Sequence, residues 1–172
     1  MSYVVDSDKR QAYIVKISRK YKRRLLSALV NNVLNVGWPK AKGLTDENLS
    51  YEDFREIIHQ AYYPKDNNYR RSGRVAASIW RFVREIKIGN YIIAPTARGF
   101  FVGIVKSEVY FKEDFSETES GYKCRIEWLR KGKAILRRRA PPRLRIRFRN
   151  AHMITEANDL IQEIEFVLRA VE

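Results

Sequence analysis

The apolar positions of this chain change period along its length, and each change predicts an element. Ile79, Phe82, Val83 and Ile86 fall at i, i+3, i+4 and i+7, the spacing of a short amphipathic helix that Gly89 stops. Residues 91–95 and 100–111 are dense in aromatic and β-branched side chains. Thr96-Ala97-Arg98-Gly99 stands between them as turn chemistry, so the two segments are expected to pair as a hairpin. Tyr122, Cys124, Ile126 and Trp128 alternate with Lys123, Arg125 and Glu127, which predicts a third strand with one buried face and puts Trp128 inside.

Upstream, residues 12–17 read as a first strand, 18–29 as a basic helix and 33–38 as a second strand ended by Pro39. Ser50 followed by Asp53 resembles a capping box, and Phe54, Ile57, Ile58, Ala61 and Tyr62 then line one helical face until Pro64. His59 is expected on the polar side of that helix. Residues 65–74 have no apolar period and read as a mobile loop. Near the end, Leu144, Ile146 and Phe148 alternate with Arg143, Arg145, Arg147 and Arg149, which predicts a last strand with a cationic outer face. Thr155 is expected to cap a closing helix that buries Leu160, Ile161, Ile164, Val167 and Leu168.

The 172 residues suit a single domain over residues 1–172, with residues 1–10 expected to be flexible. The apolar content of 45% is that of an ordered protein. Charge changes the picture more: 34 Lys and Arg against 20 Asp and Glu leave a formal +14, which favours a polyanionic partner. Residues 130–149 hold ten cations and no acid, mostly arginines, whose planar fork suits phosphates and guanine edges. Arg137, Arg138, Arg139, Arg143, Arg145, Arg147, Arg149, Lys131 and Lys133 are the candidate nucleic-acid backbone contacts. Arg19, Lys20, Lys22, Arg23 and Arg24 form a second cluster, either a solvated helix face or a phosphate-contacting one.

Catalytic chemistry is harder to find. The single Cys124 excludes an internal disulfide framework and reads as a small core residue. His59 and His152 lie far apart and near no nucleophile, and no metal-ligand spacing, phosphate loop or nuclease carboxylate cluster is recognisable, so neither a metal nor a cofactor is expected. Glu108, Glu113, Asp114, Glu117 and Glu119 read as a solvated acidic loop. With no signal peptide and no membrane-length apolar run, a cytoplasmic binding protein is the expectation.

Four pieces in order, Val36-Gly37-Trp38, Ile79-Trp80-Arg81-Phe82 before Lys87-Ile88-Gly89, Phe101-Val102-Gly103-Ile104-Val105 and Ile126-Glu127-Trp128-Leu129, carry a family resemblance. Over residues 11–168 the chain resembles the EVE-like and YTH-like modified-base-reading domains of the PUA-like superfamily, found in McrB-type, modification-dependent restriction proteins. That resemblance implies an α+β fold, a PUA-like curved sheet or pseudo-barrel with helices around it. It also implies double-stranded DNA carrying a modified base as partner, read by extrusion of the base into an aromatic pocket. RNA is the alternative partner, since relatives read RNA. A nuclease or NTPase subunit would act as the effector, and a nuclease with unrecognised carboxylates is the remaining rival.

By the same resemblance, Trp38 and Trp80 stand where the family places pocket aromatics or their neighbours, Ser78 offers a hydroxyl, Asp159 bonds the base edge and Tyr110 closes over the base. Each has a plainer competitor. Trp80 equally suits the core of its helix, and Asp159 suits the N-terminus of the last one.

Overall fold

The computed structural model describes residues 10–17 and 22–171. In chain order the elements are β1 (Ala12–Val15), α1 (Lys22–Asn31), β2 (Val33–Gly37), α2 (Tyr51–Tyr62), α3 (Arg70–Trp80), β3 (Tyr91–Pro95), β4 (Gly99–Val105), β5 (Tyr110–Lys112), β6 (Gly121–Trp128), β7 (Ile135–Leu136), α4 (Pro142–Asn150), β8 (Ile154–Glu156) and α5 (Ile161–Ala170). A π-helical turn, Arg81–Glu85, extends α3. The expected flexibility of residues 1–9, and the start of the basic helix with Arg19 and Lys20, lie outside the described residues.

Among the described residues the strands form one sheet in the order β2-β6-β4-β3-β1-β8, with β5 added to β6 and β7 to β4. It is a strongly curled half-barrel in an α+β fold. β1 and β3 run parallel, which requires a long crossover; α1, β2, α2 and α3 occupy it. The expected hairpin is present as β3 and β4, and Thr96 closes its turn by accepting from the Gly99 amide through Oγ1 at 3.0 Å.

Strand alternation sorts the apolar side chains into two cores. Tyr13, Val15, Ile92, Ala94, Val105, Cys124 and Ile126 point to one face, where Phe54, Ile58, Ile79 and Phe82 of the α2–α3 layer cover them. Ala12, Ile14, Tyr91, Ile93, Phe100 and Val102 point to the other, covered by Leu144 and Phe148 of α4 and Leu160, Ile164 and Val167 at the last helix. The central strands are thus buried on both sides, which is why they read as continuous apolar runs. Burial pushes the Cys124 thiol up to about 12, as befits a core residue. Trp128 is inside and donates from Nε1 to the Ala28 carbonyl at 2.8 Å.

At α2 the capping box is complete: Ser50 Oγ accepts from the Asp53 amide at 3.2 Å, and Asp53 accepts from the Ser50 amide at 2.9 Å. His59 is not on the polar side. It is buried, stacks on Tyr69 with ring centroids 4.2 Å apart, and shares a 3.0 Å hydrogen bond with Ser72 Oγ, joining α2 to α3.

Three further expectations are corrected. Residues 65–74 are not one loop, because Arg70–Arg74 already belong to α3; that turn buries Ser72 instead of an apolar residue and so lacks the usual period. Residues 143–149 form α4, not a strand. Pro142 starts the helix, and Leu144 and Phe148 meet the core one turn apart while Ile146 is 49% exposed. Thr155 lies in β8 and its Oγ1 accepts from the His152 amide at 2.9 Å; α5 begins after a 3-10 turn, Asn158–Leu160.

Candidate nucleic-acid interface

The curl of the sheet leaves a seam. Val15, Lys16, Ile17 and Met153 come from the β1–β8 end of the strand order, and Asn35, Val36, Trp38 and Pro39 come from the β2 end; together they line a cavity of about 650 Å³. Tyr62 and Tyr63 at the end of α2, Arg24 of α1, and Glu117 and Thr118 of the loop before β6 complete its walls. This volume lies within the range of small-ligand pockets, roughly 300–1,000 Å³, and the lining combines apolar surface with a few polar groups.

A local distortion of β2 aims Trp38 into the seam. The register with β6 shifts between Asn35 and Gly37, a bulge that bends the edge strand. Gly37 follows at φ +82° and Trp38 at φ +65°, an unusual backbone for a tryptophan. The bend needs two backbones in contact: a Cβ on Gly121 would lie 2.2 Å from the Gly37 carbonyl oxygen. Asn35 holds the bulge, accepting from the Gly37 amide at 2.8 Å and donating to the Glu119 carbonyl at 2.9 Å. Trp38 then meets Tyr62 edge to face with centroids 4.8 Å apart, and the Tyr62 hydroxyl accepts from the Lys40 amide at 2.9 Å. Burial raises the Tyr62 phenol above its ordinary value.

Cations surround this aromatic cavity. The Arg71 guanidinium lies 4.5 Å over the Tyr63 ring and Lys40 lies 6.0 Å over Tyr62. Lys40 also pairs with Glu117 at 3.5 Å, Lys42 pairs with Glu113, and Arg24 Nε donates to the Thr118 carbonyl at 3.0 Å. The acidic loop is exposed, as expected, with Glu117 and Glu113 paired to Lys40 and Lys42.

The five residues expected to share a pocket stand in different places. Trp38 lines the seam cavity. Ser78 is buried within α3, while Trp80 packs edge-on against Tyr51 and Phe54 with the Arg84 guanidinium 5.1 Å from its ring. Tyr110 is half-buried on β5 opposite Lys123, and burial raises its phenol. Asp159 is in the turn before α5 and pairs with Arg147 at 2.8 Å and Arg143 at 3.2 Å. The hydrogen bond from Arg147, with the charges of Arg147 and Arg143, holds its carboxyl below the ordinary range. Of the cavity's lining, sequence reasoning puts only Trp38 in the pocket; Tyr62 and Tyr63 are the aromatic walls it leaves out. The tyrosine pair at the end of an amphipathic helix, directly before Pro64, was the available signal.

The ten-cation stretch divides by role. Arg143 and Arg147 are occupied by Asp159 and Glu163, fastening α4 to α5. Arg137 donates to the Thr96 carbonyl at 3.0 Å and stacks over Phe148, and Arg130 donates to the Ala134 carbonyl at 3.2 Å. Arg138, Arg145 and Arg149 have no acidic partner among the described residues; with Ala97, Arg137, Pro142 and Ile146 they line a shallow groove between the hairpin tip and α4. Arg139, Lys131 and Lys133 are exposed outside that groove. Because β1 and β3 are parallel, the tip after β3 and the cavity end of β1 lie at the same end of the sheet. Only residues 151–152 separate the end of α4 from Met153 in the cavity wall.

The profile of one protein family, described as a domain of unknown function (DUF8426), matches residues 14–140, well over half of the chain. The chain belongs to that family. The DUF8426 match takes in every lining residue of the cavity except Met153, and it ends before α4, with Arg143–Arg149 and Asp159 beyond it. A comparison with curated proteins finds no match. Among the described residues, no three His, Cys, Asp or Glu side chains are grouped to hold a metal ion, and no helix is long and apolar enough to cross a membrane.

Proposed function

We propose that this domain binds nucleic acid and inspects one base drawn out of its stack into the seam cavity. The ligand in this reading is double-stranded DNA carrying a modified base. The domain is a specificity module of PUA-like architecture that acts with a nuclease or NTPase effector and performs no chemistry of its own. The observation that carries the reading is the cavity walled by Trp38, Tyr62 and Tyr63 and rimmed by Lys16, Arg24, Lys40 and Arg71. Flat aromatic walls accept the faces of any base, and cations at the rim meet the phosphates that follow it. The cost of extrusion, a few kcal/mol of unpairing and unstacking, falls when the base is already mispaired.

A binding panel tests this. Short duplexes differing at one position, with unmodified, methylated or hydroxymethylated cytosine, or unmodified or methylated adenine, are compared by fluorescence anisotropy with matched RNA strands. One modification is expected to bind tightest, and a mismatch at that position is expected to tighten binding further. Equal affinity for every duplex, with no effect of the mismatch, refutes extrusion; preference for the RNA strands moves the reading to single-stranded RNA.

A further inference from the structure

From α2 a second cationic surface leads away from the cavity. Tyr63 lines the cavity on one side and carries Arg71 on its ring at 4.5 Å; in the loop that leads from α2 to α3, Tyr69 carries Arg55 at 4.9 Å. Arg70, Arg71 and Arg74 are exposed on the first turns of α3, and Lys65 is exposed in the loop before it. Arg71 has Asp66 at 3.5 Å, whereas the side chains of Lys65, Arg70 and Arg74 have no acidic partner among the described residues. Tyr69 is itself fixed, donating to Glu56 at 2.6 Å and stacking on buried His59.

The fold gains nothing from Arg70 and Arg74, which make no ion pair or ring contact among the described residues. Arg70 and Arg74 are four residues apart on one helical face, a like-charge spacing that weakens a helix, and the first turn of α3 has no acidic residue to offset them. The side chains holding α3 against α2 are others, Ser72, Ala76 and Ile79. Exposed guanidinium groups interleaved with fixed aromatic rings instead match a nucleic-acid strand, with its alternation of phosphates and flat bases.

We infer that the Tyr63–Tyr69–Arg70–Arg71–Arg74 surface holds the nucleic-acid backbone flanking the extruded base, as a track separate from the α4 groove. The two tracks leave the cavity through different walls, Tyr63 for this one and Met153 for the other, so a strand with one base in the cavity is gripped on both sides of it. This inference rests on the nucleic-acid reading of the cavity and adds where the flanking phosphates go.

The experiment measures the salt dependence of binding to a short DNA duplex with a central mismatch, using the whole chain. Arg70→Ala/Arg74→Ala is compared with Arg145→Ala/Arg149→Ala, and with Lys87→Ala/Arg125→Ala, which removes equal charge from exposed positions elsewhere. Each lost phosphate contact lowers the slope of log affinity against log salt by about 0.9, so the first two variants are each expected to flatten it by about 1.8 and the third to leave it unchanged. Thermal melts should place Arg70→Ala/Arg74→Ala at or above the parent, since a repulsion is removed. An unchanged slope for that variant beside a flattened one for Arg145→Ala/Arg149→Ala overturns the second track and leaves the proposed function standing. Equal flattening by the control reduces the effect to net charge and also overturns the track. Absence of any binding by the unsubstituted protein removes both readings.

Discussion

Replacing Trp38 and Trp80 separately by Ala distinguishes an aromatic that faces the cavity from one packed between helices, and the two environments set different costs. Trp38 is half-buried, with one edge-to-face partner, Tyr62. Losing that contact costs ~0.5–1.5 kcal/mol and the apolar area given up adds roughly 1.5 kcal/mol, so Trp38→Ala should lower stability by about 2–3 kcal/mol, a drop in Tm of roughly 4–12 °C at this chain length. Trp80 is half-buried too, but it touches Tyr51, Phe54 and Arg84, so its truncation gives up more contact between α2 and α3 and should cost about 3–5 kcal/mol. Binding should rank the variants the other way. A stacked base loses ~1–3 kcal/mol when its aromatic partner is removed, about 5–150-fold in affinity, and Trp38→Ala should lose it while Trp80→Ala, below its own melting range, should not. Urea unfolding followed by anisotropy at a temperature where both are folded measures the two quantities. If Trp38→Ala keeps its discrimination, or Trp80→Ala loses it while folded, the cavity is not the base site.

Three more substitutions address backbone strain near the cavity and the α4–α5 ion pair. Gly43→Ala, at φ +84° with nothing within 4 Å of the new Cβ, measures backbone strain alone, about 1 kcal/mol; Gly121→Ala adds a 2.2 Å collision with Gly37 and should cost at least about 2 kcal/mol more, so equal costs would show that β2 yields easily. Asp159 has a depressed carboxyl in the folded protein, so its contribution is present above the ordinary value of 3.8 and disappears as pH falls through the depressed one. The stability gap between the parent and Asp159→Asn, followed by urea midpoints from neutral pH downward, should therefore close in acid; a gap constant with pH would show that the Arg147 pair contributes nothing through charge.

What could be read from the sequence is what one period determines. The Ser50 cap and the β3–β4 hairpin each satisfy only one geometry, and the structure contains both; β6 alternates as expected from Cys124 to Trp128, while Lys123, expected outside, is buried where β5 and β2 flank the strand. Residues 143–149 satisfy two. Arg-Leu-Arg-Ile-Arg-Phe-Arg alternates like a strand, yet Leu144 and Phe148 also stand one helical turn apart, and only the exposure of Ile146 decides between them. The start of α3 was hidden because its buried contact is Ser72, bonded to His59. The cavity itself has no linear signature. Its walls come from residues 15–17, 24, 35–36, 38–39, 62–63, 117–118 and 153, and the bulge and curl that join them depend on the Gly37–Gly121 approach between strands that are far apart in the chain.

The position of β1 also sets a timetable. This strand, completely buried, sits between β3 and β8, and the Ala12 amide donates to Asn158 Oδ1 across 146 residues of sequence. At roughly 5–20 residues per second of synthesis, a strand made at the outset waits about 7–30 s for its last neighbour. Until α4 and α5 are made, Ala12 and Ile14, and Tyr91 and Ile93 once they are added, lack the cover those helices bring. A nascent chain halted near residue 140 would carry the whole family-matched segment and still present this open apolar face to chaperones or to other unfinished copies.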